Sequence, residues 1–169
     1  MTHEDFEKAA GHWVKADAQS VKMPKEELWA EIEKYAMENN TCAIATGYGT
    51  QIRNTPLEYG WHDKCVWIFS EGGEKFIGLE KNPNVCIAIF NGYTGFGNVK
   101  GMQIQVTADI IEPFSPEYIA AIEAKKFSVT AFRKMPEPLN LIKVTPTRIN
   151  FLNSDFKKMG YGSRQEWKA

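Results

Sequence analysis

The chain has 169 residues, of which 43% are apolar and 24% are charged, and its formal net charge is −1. These values are typical of one globular domain, so we treat residues 1–169 as a single domain. The charge is too small for a broad basic surface, so we expect neither nucleic acid nor a membrane as partner. The polar N-terminus is not typical of a signal peptide, and no apolar run is long enough to span a bilayer. Together these features predict a cytoplasmic protein.

The cysteines and histidines do not form a recognisable site. The odd number of cysteines argues against a disulfide framework, and each lies in a strand-like segment, which favours buried thiols in a reducing compartment: Cys42, Cys65 and Cys86. The histidines show no metal-ligand spacing with a cysteine or a carboxylate: His3, His12 and His62. We therefore predict no metal site.

Residues 1–40 have the pattern of two helices. A short helix is predicted over 3–15 and a longer one over 23–39, with Pro24 at the first helical position. In the longer segment the apolar residues recur at helical spacing and predict one buried face: Leu28, Trp29, Ile32, Tyr35 and Ala36.

From Thr41 the pattern changes to short strands separated by turns, with turns at 47–49 and 62–63. Strands are predicted over 41–46, 51–61, 64–70, 84–91, 99–112 and 139–152, the last of them interrupted near Pro146, and helices over 74–81 and 115–127. A proline-bearing linker precedes the last strand, and residues 153–169 are expected to form an irregular tail. Successive antiparallel strands with short helices predict a mainly β fold with some α (α+β), in which residues 41–152 form a barrel.

The strongest chemical signal is the segment Ser70-Glu71-Gly72-Gly73-Glu74-Lys75, which joins a strand to a helix. Glycines let the backbone approach a ligand closely, and unpaired amides at the helix start favour phosphate. Ser70 can donate a hydroxyl, Lys75 can supply charge, and Arg53 on an earlier strand can add a bidentate contact. Glu74 opposes this interpretation unless its carboxylate points away. Each part also has a structural explanation, namely a turn, a solvated lysine and an arginine on an exposed sheet face.

The spacing of these residues resembles the pyridoxamine 5'-phosphate oxidase-like superfamily from Thr41 to about Phe151. In the oxidases a strand arginine is followed 22 positions later by a phosphate-binding lysine, as Arg53 is by Lys75 here. Asn82-Pro83 stands where the family ends the intervening helix, and Gln103-Ile104-Gln105-Val106 is similar to the strand whose glutamine reaches the flavin. The resemblance implies an antiparallel split β-barrel with short flanking helices that binds flavin mononucleotide (FMN).

The resemblance also implies roles for individual residues. Arg53 and Lys75 would hold the FMN phosphate, assisted by Ser70 and the amides near Gly73. Gln103 would come from the other subunit of a homodimer. The isoalloxazine ring would be bordered by residues of two strands: backbone groups of Asn54, Thr55 and Pro56, together with Phe69 and Ser70.

The chain departs from the oxidases where they bind their substrate. Glu58 replaces a lysine that contacts the substrate phosphate, and residues 147–169 lack the histidine of the C-terminal Arg-x-His motif. We therefore expect an FMN-dependent oxidoreductase that acts on an unidentified small molecule and is not a true pyridoxamine phosphate oxidase. No catalytic residue is identified.

Two other functions remain open at this point: a non-catalytic carrier or sensor of flavin or haem, and a dimeric scaffold without cofactor. The loop over 92–98, with Tyr93 and Phe96, fits either a lid over the flavin or a packing contact with the partner subunit.

Overall fold

The computed structural model describes residues 1–169, with the side chain of Trp13 outside the described part. The helices are α1 (His3–Ala18), α2 (Lys25–Glu38), α3 (Lys75–Lys81), α4 (Pro116–Ala124) and α5 (Val129–Arg133), with 3₁₀ turns at Phe96–Asn98 and Ser154–Met159. The strands are β1 (Thr41–Tyr48), β2 (Gln51–Glu58), β3 (Gly60–His62), β4 (Cys65–Ser70), β5 (Asn84–Phe90), β6 (Lys100–Ile111), β7 (Asn140–Val144), β8 (Arg148–Asn153) and β9 (Arg164–Lys168).

The nine strands form one curled antiparallel sheet in the order β2-β1-β5-β6-β7-β4-β3, with β8 and β9 branching from β6. The twelve-residue β6 connects the two parts, because its first half pairs with β8 and its last residues pair with β7. The predicted α+β fold class and split barrel are confirmed.

The main core lies on the inner face of this sheet. Ile44, Ile87, Ile104 and Ile149 are aligned across β1, β5, β6 and β8, and all four are fully buried. Helix α2 closes one side with Leu28, Ile32, Tyr35 and Ala36, which are buried as the helical periodicity predicts, whereas Trp29 of the predicted buried face is only partly buried. Burial of a large aliphatic side chain stabilises a fold by about 1.5–3 kcal/mol.

A second core lies where α4 and α5 pack beside β4 and β7. Tyr118, Trp67 and Leu141 are buried there, and the Tyr118 hydroxyl donates a hydrogen bond to the Leu139 carbonyl at 2.8 Å. Sequence reasoning missed α5, because this five-residue helix lies inside the proline-bearing linker and is capped only by Ser128.

One predicted strand is broken in the structure. The segment 51–61 divides into β2 and β3 at Tyr59, which turns inward and donates a hydrogen bond to the Ala36 carbonyl at 2.7 Å. The interruption predicted near Pro146 is confirmed, because the segment 139–152 divides into β7 and β8 around this buried proline. The predicted turn at 47–49 lies later, because β1 continues to Tyr48 and the chain reverses at Gly49-Thr50. The other early turn lies at Asp63 and Lys64, both with positive φ.

The prediction of an irregular tail over 153–169 is wrong. These residues form a 3₁₀ segment and β9, which pairs with β8 at the edge of the sheet. Gln165 anchors the tail: it is 3% exposed, its Oε1 accepts from the Met23 amide, and its Nε2 donates to the carbonyls of Val21 and Gly162. A buried polar side chain with three partners is not visible in a hydrophobic pattern.

Among the described residues, no helix is long and apolar enough to cross a membrane.

Candidate functional site

The start of β2 places Arg53 and Thr55 on the side of the sheet that faces α3. In the β1–β2 ladder Arg53 lies opposite Thr46 and Thr55 lies opposite Ile44, and both of those β1 side chains are buried. Because strand side chains alternate between faces, Arg53 and Thr55 point to the same side. The Arg53 guanidinium reaches the segment that leads into α3, where it contacts Glu74, and Thr55 lies on the same side of the sheet two residues further along β2.

Helix α3 is held close to β1 by a small residue and a side-chain hydrogen bond. A Cβ at Gly78 would lie 3.2 Å from the Thr46 side chain, so any larger residue there would require Thr46 or the helix to shift. At the other end of the helix, Asn82 Nδ2 donates to the Gly47 carbonyl at 2.8 Å. This packing fixes the position of Lys75, the first residue of α3, relative to β2.

The segment before α3 encloses the Lys75 ammonium group. Lys75 is only 5% exposed, its Nζ donates to the Gly72 carbonyl, and a Cβ at Gly73 would lie 3.7 Å from that Nζ. Gly72 and Gly73 have φ values of 139° and 104°, which favour glycine. The buried Ser70 hydroxyl accepts from the Gly72 amide at 3.3 Å.

Electrostatic effects in this group of residues favour an anion. Burial lowers the pKa of Lys75, and the nearby Arg53 guanidinium lowers it further. The Thr55 hydroxyl is enclosed and has no hydrogen-bond partner among the described residues. A phosphate group would relieve the repulsion between the two cations and could accept from the free hydroxyl. We call Arg53, Thr55, Ser70, Gly73 and Lys75 the phosphate cradle.

The N-terminus of α3 contributes less to anion binding than the sequence predicts. The helix has seven residues and starts at Lys75 itself, so few aligned peptide dipoles add up. The formal charges of Lys75 and Arg53 therefore dominate the cradle.

The Glu74 carboxylate does not point away from the cradle. The phosphate-binding interpretation of the sequence required it to do so. Its Oε2 accepts a hydrogen bond from Arg53 Nη1, and both side chains are more than half exposed. Arg53 is thus engaged by a carboxylate of the same chain, and a phosphate must compete with Glu74 for it.

The residues assigned to the flavin ring lie in two different environments. Asn54 and Pro56 alternate with Arg53 and Thr55 and therefore face the opposite side of the sheet. The Phe69 side chain packs into the second core, 5.5 Å from the Tyr118 ring and 5.3 Å from the Phe132 ring, measured between centroids. For Asn54, Pro56 and Phe69, only backbone groups therefore remain candidates for contacting the edge of the isoalloxazine ring near the cradle.

Gln103 and the phosphate cradle lie on opposite faces of the sheet within one chain. Gln103 is exposed and aligned with Ala88 on β5 and Asn150 on β8, whereas the adjacent Ile104 points into the core. One chain therefore does not bring together Arg53, Lys75 and Gln103.

The face that carries Gln103, which we call the outer face, has small side chains at its centre. They belong to β1, β5 and β6: Ala43, Ala45, Cys86, Ala88 and Gly101. Two larger apolar side chains on this face, Ile52 and Phe90, are 87% and 63% exposed. Sequence reasoning missed this face, although small residues alternate with large ones in Cys42-Ala43-Ile44-Ala45 and Cys86-Ile87-Ala88.

Glu58 is paired in the structure. Its Oε1 lies 2.8 Å from Lys125 Nζ, and the side chains are 63% and 15% exposed respectively. The negative charge at this position is therefore partly compensated by a residue distant in sequence.

The cysteines are unpaired, and Cys42 and Cys65 are buried. Burial raises the pKa of the Cys42 thiol to about 12, so this group stays protonated near neutral pH. No group of three or more metal-ligating side chains occurs in the described part of the chain.

No protein-family model and no curated protein matches this chain. Solved structures do match. An FAD-binding protein from Mesorhizobium loti is 17% identical with a TM-score of 0.57, over 72% of this chain and 89% of that one. A proposed pyridoxamine 5'-phosphate oxidase from Listeria innocua is 20% identical with a TM-score of 0.59, over 75% and 99%. The haem storage protein HutZ from Vibrio cholerae is 17% identical with a TM-score of 0.57, over 73% and 91%. At these identities the similarity establishes a shared fold.

Proposed function

Because the chain has the pyridoxamine 5'-phosphate oxidase-like split-barrel fold, we propose that it is a flavoprotein that holds the phosphate of FMN in the cradle formed by Arg53 and Lys75. The observation that carries this proposal is the Lys75 ammonium group. The Lys75 residue is 5% exposed, its ammonium group lies near a second cation, and among the described residues no carboxylate pairs with it. A buried cation of this kind is stabilised by an anionic ligand.

Each cradle residue has a distinct part in this proposal. Lys75 supplies the enclosed charge, Arg53 supplies planar donors, and the Thr55 and Ser70 hydroxyls supply hydrogen bonds. Gly73 leaves room for the ligand next to Lys75 Nζ. When bound, the flavin would supply the redox chemistry, and the chain would position it and exclude water from one side.

We further propose a homodimer in which the outer faces of two sheets meet. The support is the partly exposed, small-residue centre of that face, flanked by the exposed Ile52 and Phe90, since two sheets pack closely through such surfaces. Gln103 lies on this face and the cradle lies on the other, so a flavin held in the cradle would extend round the free edge of β2 to meet the partner subunit's own Gln103. The unpaired cysteines agree with a reducing compartment, and we place the protein in the cytoplasm.

The proposed activity is that of an oxidoreductase acting on a small molecule. The test is the absorbance spectrum of the purified protein after incubation with FMN and removal of the unbound flavin, followed by reduction with a nicotinamide cofactor and reoxidation by an acceptor. Flavin bands with turnover would support the enzyme. A haem Soret band would support the second candidate, a haem carrier, which the fold shared with HutZ favours. A colourless protein would contradict both.

Replacing Glu74 should strengthen FMN binding. Glu74→Gln removes the carboxylate that engages Arg53, so the guanidinium becomes available to the phosphate. Because an exposed ion pair contributes only about 0.2–1 kcal/mol, we expect FMN affinity to rise by at most about fivefold by fluorescence titration. Riboflavin, which lacks the phosphate, should bind unchanged.

The matched control for this variant is Glu71→Gln, which removes one exposed carboxylate from the same segment. It should change FMN affinity less than Glu74→Gln, since Glu71 has no ion pair among the described residues. Weaker FMN binding by Glu74→Gln would show that the carboxylate orients Arg53 and does not compete with the phosphate.

We predict that this protein does not form pyridoxal phosphate from pyridoxine phosphate. Residues 147–169 contain no histidine, and Glu58 with its Lys125 partner occupies the position of a phosphate-contacting lysine in the oxidases. The check is a direct product assay on the FMN-loaded protein, with a genuine oxidase as positive control. Sustained product formation at a comparable rate would overturn this prediction.

A further inference from the structure

A pocket of about 400 Å³, separate from the phosphate cradle, lies at the start of α2. It is next to the β3–β4 turn, the β7–β8 connection and β9. Lys25, Trp29, Lys64 and Trp167 line it. None of these residues belongs to the phosphate cradle or to the outer face. Its volume lies within the range of small-molecule sites.

Two tryptophan rings form the apolar part of this pocket. The ring centroids of Trp29 and Trp167 are 4.4 Å apart with an angle of 43° between the ring planes, and Trp61 lies 6.0 Å from Trp29. Trp29 and Trp167 are only partly buried, so some ring surface remains accessible. Flat aromatic surface of this kind favours a planar aromatic ligand.

Two lysines supply positive charge at the same place. Lys25 Nζ lies 5.5 Å from the Trp167 ring centroid, and Lys64 Nζ lies 5.8 Å from the Trp29 ring centroid. In the described part of the chain neither ammonium group forms an ion pair. Glu26 is the acidic residue in the lining, so the charged groups sum to a net positive pocket. The cation–π contacts hold the ammonium groups near the rings.

We propose that this tryptophan pocket binds a small planar aromatic anion, with its ring on Trp29 and Trp167 and its acid group beside Lys25 and Lys64. An aliphatic acid would lack the ring contact, and a neutral aromatic compound would lack the charge contact. The combination selects for molecules that carry both.

The test is a titration with 2-naphthoate followed through the indole N–H signals in a ¹H–¹⁵N NMR spectrum. The chain has five tryptophans, so each is a local reporter. The signals of Trp29 and Trp167 should move most, whereas that of Trp67, buried in the second core, should stay in place. The neutral analogue 2-naphthalenemethanol and the non-aromatic cyclohexanecarboxylate should both bind more weakly.

Charge dependence is tested with Lys25→Gln/Lys64→Gln, which should weaken 2-naphthoate binding about tenfold and leave binding of the neutral analogue unchanged. The control is Lys134→Gln/Lys157→Gln, which removes two exposed lysines elsewhere and should have little effect. Equal 2-naphthoate affinities of wild type and Lys25→Gln/Lys64→Gln, or unmoved Trp29 and Trp167 signals at millimolar 2-naphthoate, would overturn the proposal. Loss of 2-naphthoate binding in Lys75→Met would also overturn it, because it would place the ligand at the phosphate cradle.

Discussion

Replacing Lys75 by alanine should weaken FMN binding about ten- to a hundredfold, because a hydrogen bond to a charged group contributes about 1.5–3 kcal/mol. Lys75 is the enclosed cation of the cradle, held by the Gly72 carbonyl and lying close to Gly73. Arg53→Ala should reduce FMN affinity by less, near the tenfold end of this range, because Arg53 is half exposed and shared with Glu74. The measurement is a flavin fluorescence titration with each variant.

Riboflavin separates a phosphate contact from a structural role. It has the ring but no phosphate, so its affinity should be nearly unchanged in Lys75→Ala. Lys75→Met retains the apolar part of the buried side chain and should show the same FMN-specific loss without lower thermal stability. Equal losses for the two ligands would mean that Lys75 maintains the fold and that the phosphate binds elsewhere.

The pH dependence follows from the lowered pKa of Lys75. The group favours phosphate only while it is protonated, and a lowered pKa means that it loses its proton at a lower pH than an exposed lysine. The FMN phosphate stays fully ionised well above its second pKa of about 6. Affinity for FMN should therefore fall as the pH rises into the alkaline range, whereas Lys75→Met should lack this part of the decrease.

The parts of the site that sequence could predict depend on local patterns. The glycines before Lys75 and the helical spacing in α2 follow from backbone preference and burial, and the structure places Arg53 and Lys75 near one another. The separation of 22 positions between Arg53 and Lys75 predicts their proximity only through the resemblance to the oxidases. Physically, strand pairing and helix packing determine how close the two residues lie.

The parts that sequence could not predict depend on contacts distant along the chain. Strand β9 exists because Gln165 satisfies three backbone groups near Met23 and Gly162, which no local pattern shows. The inward turn of Tyr59 depends on the Ala36 carbonyl in α2. The engagement of Arg53 by Glu74 is a choice of side-chain conformation, which residue type alone does not determine.

Replacing Ala88 by arginine should prevent dimerisation and, as a consequence, weaken FMN binding. Ala88 lies at the centre of the outer face, between Ala43 on β1 and Gln103 on β6. Burying an unpaired guanidinium against a second sheet costs several kcal/mol, so the dimer Kd should rise at least about a hundredfold in analytical ultracentrifugation. The isolated subunit should keep its fold, because Ala88 points away from the core.

The matched control is Ala124→Arg, which introduces the same side chain at an exposed position at the end of α4 and should remain dimeric. Comparing FMN affinity of the two variants then measures what the second subunit contributes, and Gln103→Ala should reproduce part of that loss without dissociating the dimer. If wild type sediments as a monomer at micromolar concentration with FMN bound, the flavin site is complete in one chain. In that case the small-residue outer face requires a different partner, and Gln103 has no part in flavin binding.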